Sequence, residues 1–62
     1  MPSLVIFSGN GEVGVKVQEA PEGVYSAWRE AGGLPIPLTH EEGDTVYVNA
    51  ATIAYWLEAP ED

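Results

Sequence analysis

The one cluster of ligand-capable side chains in this sequence is His40-Glu41-Glu42-Gly43-Asp44. Three carboxylates around a glycine turn are the donor type a hard cation such as Ca²⁺ prefers. The run lacks the alternating spacing and the terminal glutamate of a calcium loop, so it reads as a solvated acidic turn and no metal is expected. His40 is the sole histidine. Sequence proximity alone supports no Ser-His-Asp or Cys-His arrangement, so it reads as a surface histidine beside a turn. No catalytic residue is assigned and no enzyme is expected.

Gly9, Gly11 and Gly14 reproduce the spacing G-x-G-x-x-G. The dinucleotide fingerprint needs a helix immediately after it. Here an alternating valine run follows, and no cofactor is expected. Tyr25, Trp28, Tyr47, Tyr55 and Trp56 are residue types that dominate recognition hot spots. In so small a protein, packing inside the core should claim most of them. Trp56 is the best exposed candidate, because strand alternation sets it opposite Ile53, Tyr55 and Leu57. Trp56 and the acidic turn (Glu41, Glu42, Asp44) are therefore the expected binding determinants.

Ten acidic residues face two basic ones, a formal net charge of -8. Nucleic-acid binding draws on Lys and Arg to neutralise phosphates, and Lys16 and Arg29 alone do not suffice. An anionic membrane surface is disfavoured for the same reason. A basic protein patch would be attracted, although solubility alone accounts for a high net charge.

The elements that must position these residues belong to one small domain. A chain of 62 residues buries only about 60% of the surface its unfolded form exposes. Without cysteine, neither disulfides nor thiolate metal sites supplement its core. The N-terminal MPSLVIFSG lacks the basic region and apolar length of a signal peptide, so a soluble cytoplasmic protein is expected.

Residues 3–8 read as a strand apolar on both faces, hence central or covered by a partner. Asn10-Gly11 favours a type I′ hairpin. Residues 12–18 alternate, with Val13, Val15 and Val17 on one face. Pro21 opens a helix over 21–31, whose stripe is Val24, Ala27, Trp28 and Ala31 and whose end is Gly32-Gly33. Trp28 is expected to dock this helix on the sheet. Pro35 and Pro37 mark residues 34–39 as an edge strand with few donors on its outer side. Residues 45–49 follow, with Val46 and Val48 inward. Ala50, Ile53, Ala54 and Leu57 fit a helix capped by Asn49, whereas Ile53, Tyr55 and Leu57 alternate as in a strand. Residue types leave both readings open. Residues 59–62 read as a flexible acidic tail.

The run Val46 to Tyr55, V-Y-V-N-x-x-x-I-A-Y, resembles the closing hairpin of small FlbD-type flagellar proteins and of LytTR-type DNA-binding domains. Over Pro21 to Glu58 the chain is similar to short actinobacterial and phage proteins in which a helix ending in Gly-Gly precedes two hairpin strands. The resemblance implies that Asn49 turns the chain and Ile53 begins a strand over 53–58. DNA contacts of the LytTR type need basic residues that this chain lacks.

The fold expected is α+β in the order β-β-α-β-β-β: a mostly antiparallel five-stranded sheet or partial barrel with one helix on one face. The function expected is a small acidic, non-enzymatic protein-interaction module of bacterial or phage type, associating with itself as a homodimer. The alternative is an acidic inhibitor that mimics nucleic acid toward a basic nucleic-acid-binding protein.

Overall fold

The computed structural model describes residues 1–9 and 13–60. Among them the order is β1 (Ser3–Phe7), β2 (Val13–Val17), α1 (Pro21–Ala31), β3 (Ile36–Thr39), β4 (Thr45–Val48), a 3-10 turn (Ala50–Thr52) and β5 (Ile53–Glu58). The α+β class and the order β-β-α-β-β-β are as the sequence implies. The strands form two antiparallel sheets, β2-β1-β5 and β3-β4, rather than one. The Asn10-Gly11 hairpin lies outside the described residues, and the strands it joins are in register from Ser3↔Val17 to Phe7↔Val13.

The sheets meet at a single bridge, Val17↔His40. There the Gln18 N–H donates to the Thr39 carbonyl at 2.8 Å and the Glu41 N–H to the Lys16 carbonyl at 3.1 Å. Along β3, then, the odd positions face β2. Pro37 stands two residues before Thr39 and brings no N–H to that edge, which stops the two sheets from zipping together. The two sheets β5-β1-β2 and β3-β4 are thus joined at one bridge and do not close into a barrel.

Glu19 reinforces this seam. Its carboxylate accepts the Thr39 N–H on both oxygens at 2.9 Å and the Thr39 hydroxyl at 2.9 Å. Its own carbonyl accepts from the buried Ser3 hydroxyl at 2.7 Å. One of the ten acidic residues is accordingly a structural clamp rather than surface charge.

The helix runs over the expected residues. Pro21 occupies its first turn and Gly32 caps it in the left-handed region at φ 57°, where a side chain would be strained. Val24 is its fully buried residue, packed with Val5, Val17, Ile36, Leu38 and Val48. Trp28 meets the sheet as expected, leaning on Trp56 of β5 with ring centroids 6.4 Å apart, although it stays 42% exposed rather than entering the core.

Of the competing readings the strand holds, over Ile53–Glu58, and the helix is confined to a three-residue 3-10 turn that Asn49 caps. The Asn49 side chain accepts the Ala51 N–H at 3.0 Å, and the chain then enters β5 at Ile53. Ala59, expected in a tail, is buried and donates its N–H to the Pro2 carbonyl at 2.9 Å. No helix among the described residues is long and apolar enough to cross a membrane.

Candidate functional site

The acidic turn is where the sequence places it. Glu41, Glu42 and Asp44 are all exposed, Gly43 takes φ 105°, and the Glu42 N–H donates to His40 Nδ1 at 3.2 Å. Lys16 approaches Glu41 at 4.0 Å, a separation worth little between exposed groups. Among the described residues no three His, Cys, Asp or Glu side chains gather as a metal set. Gly14 lies inside β2, so the glycine spacing opens no helix.

Trp56 is placed differently from its expectation. The β1–β5 pairing slips between Ile6 and Phe7: Ile6 faces Tyr55, whereas Phe7 faces Ile53. Ala54 is the extra residue of a β-bulge, which resets the alternation by one. Ile53 and Trp56 therefore share the inner face, and Trp56 is half-buried with its indole N–H donating to the Pro21 carbonyl at 3.1 Å. Tyr55 and Leu57 point the other way, 51% and 45% exposed. Trp56 and the acidic turn thus sit on separate elements.

The aromatic residues line the surface more than the core. Tyr25, Trp28, Tyr47 and Tyr55 are all exposed, because branched aliphatic side chains already fill the small interior. Tyr25 stacks on Trp28 at 6.1 Å, and the Arg29 guanidinium lies 5.7 Å from the Tyr25 ring centroid, a cation–π distance. Trp28 and Arg29 border an open cleft completed by Gly32, Gly33, Ala50 and Ala51.

A second apolar surface is the outer face of β2-β1-β5. Strand alternation brings together Leu4, Ile6, Tyr55 and Leu57, with Gly14 and Lys16 beside them. Gly14 flattens it: a Cβ there would stand 2.8 Å from Ile6 Cδ1 and 3.5 Å from Leu4 Cδ1, so both side chains lie down across β2. Lys16 is the one charged residue among these six, on a molecule of net charge -8. The helix packs on the opposite face, through Val24 and the Trp56–Pro21 contact. The two-faced apolar character of β1 was the available signal for this surface, and the bulge that turns Tyr55 and Leu57 toward it has none in the sequence.

Comparison with protein-family models, curated proteins and solved structures finds no match.

Proposed function

We propose that this protein is a small acidic, cytoplasmic protein-interaction module that associates with itself through the outer face of its three-stranded sheet. The observation that carries the reading is the flat apolar field of Leu4, Ile6, Tyr55 and Leu57, four uncharged neighbours on a strongly acidic chain that the helix leaves uncovered. Contiguous exposed apolar surface of this kind marks interaction sites. Charge elsewhere keeps the monomer soluble and opposes non-specific aggregation. The role is binding rather than catalysis, and the partner is protein rather than nucleic acid or membrane.

Sedimentation equilibrium over a hundredfold concentration range tests it. The wild type should shift from monomer to dimer, and Leu57→Glu should remain monomeric while still unfolding cooperatively, since Leu57 is already half out of contact. A wild type that stays monomeric throughout would overturn the reading. Salt separates the alternative: a nucleic-acid mimic binds a basic partner less tightly as salt rises, whereas two copies of like charge associate more tightly.

A further inference from the structure

The sheet edges of this molecule are unequally protected. The outer edge of β2 is occupied where the Gln18 N–H and the Lys16 carbonyl bond Thr39 and Glu41. The facing edge of β3 carries Pro37, and its Thr39 N–H is held by Glu19. β4 has four residues, and a very short strand is itself a guard against pairing. β5 is the longest strand, Ile53–Glu58, and contains neither lysine nor proline. The bulge at Ala54 guards its first half, which leaves Tyr55 to Glu58 as regular strand.

Register gives the direction of the free groups there. The Ala59 N–H donates to the Pro2 carbonyl, so Leu4/Leu57 and Ile6/Tyr55, at two-residue steps, are the bonded pairs of the β1–β5 ladder. The intervening Trp56 and Glu58 turn their N–H and C=O groups away from β1. Among the described residues no turn, loop or cap bond takes them up. The edge thus presents a donor and an acceptor at each of two alternate residues, as strand addition requires.

The charge beside this edge has one sign. Glu58 is exposed and stands two residues from Trp56, on the same face of the sheet. Glu22 lies in the first turn of α1, next to Pro21, whose carbonyl holds the Trp56 indole. Both basic residues are elsewhere: Lys16 on β2, beyond the central strand, and Arg29 in the last turn of the helix. The other face of β5 is apolar through the half-exposed Tyr55 and Leu57.

We propose that β5 takes up an extended basic segment of another protein as an added antiparallel strand, in which lysine or arginine alternates with apolar residues. Directly opposed residues of an antiparallel pair share a face. The basic side chains therefore stand with Trp56 and Glu58, and the apolar ones continue the field of Tyr55 and Leu57. Antiparallel addition matches the rest of the sheet, and the basic residues are then the ones whose N–H groups meet β5. A second copy of β5 would instead bring another Glu58 to this acidic edge. The site uses the strand edge alone and does not depend on self-association through the sheet face.

A capped hexapeptide of alternating valine and lysine tests this, titrated into the ¹⁵N-labelled protein at fixed protein concentration. Amide shifts should move most at Trp56 and Glu58, and exchange of those two amides should slow. Methylating the backbone nitrogens of the lysines removes the donors that face β5, and should weaken binding at least about tenfold. Methylating those of the valines, which face solvent, should leave the affinity within about twofold of the parent, since no paired hydrogen bond is lost. Glu58→Lys keeps the backbone edge and should weaken binding about fivefold, the upper end for a surface charge pair. A valine-glutamate hexapeptide should not bind. Equal affinity of the two methylated peptides would overturn strand addition. Shifts confined to Glu41, Glu42 and Asp44 would place the peptide at the acidic turn and overturn the site, as would no binding.

Discussion

Replacing Glu19 should cost this protein a large part of its stability, although sequence position marks it as an ordinary surface acid. A 62-residue chain at ~0.05–0.15 kcal/mol per residue has about 3–9 kcal/mol in total. The Glu19 carboxylate receives the Thr39 N–H and hydroxyl, each at 2.9 Å. Hydrogen bonds to a charged group contribute about 1.5–3 kcal/mol each, and partial exposure of Glu19 puts these near the lower end. Glu19→Ala also leaves the Thr39 N–H without its carboxylate acceptor. The expected loss is about 2–4 kcal/mol. Glu19→Gln keeps one carbonyl acceptor and should lose about 1 kcal/mol, as should Thr39→Val, which removes only the hydroxyl bond. Urea unfolding followed by Trp28 and Trp56 fluorescence measures this. With a slope near ~1 kcal/mol per molar for so small a chain, Glu19→Ala should lower the midpoint by about 2 M or more. A loss under about 0.5 kcal/mol, the range of ordinary surface substitutions, would refute the idea that this side chain ties the two sheets.

Two further stability changes test individual contacts. Trp56→Phe retains most of the ring but removes the indole N–H bond to Pro21, and should cost about 1 kcal/mol by urea midpoint; no change would mean that bond is not formed in solution. Asn49→Ala removes the cap on the 3-10 turn and should cost about 0.5–2 kcal/mol, with amide exchange at Ala51 rising more than exchange in β1. Equal acceleration at both sites would show global rather than local destabilisation.

Local signals made the elements legible, and long-range geometry decided the surfaces. Pro21, the stripe containing Val24 and the glycine at 32 each mark the helix from within the helix itself, and its bounds follow. β1 is central in its sheet, with Val5 in the core and Leu4 and Ile6 on the outer face. Trp56 was misplaced because alternation counts residues, whereas the bulge at Ala54 consumes one without advancing the register. Asn49 fitted the helical reading because it does cap a turn, but that turn ends at Thr52 and the chain continues as a strand. Glu19 carries no sequence mark at all: its partner is twenty residues away. The aromatic residues were expected inside on grounds of size, yet six branched aliphatics from five elements suffice to fill this core. The apolar outer face was half legible, through Leu4 and Ile6, and half hidden by the bulge.

The most direct test of the central claim is the change in backbone amide shifts of ¹⁵N-labelled protein on serial dilution. Self-association through the outer face predicts concentration-dependent shifts concentrated at Leu4, Ile6, Gly14, Tyr55 and Leu57. Shifts confined to Tyr25, Trp28 and Arg29, or none at any concentration, would contradict it.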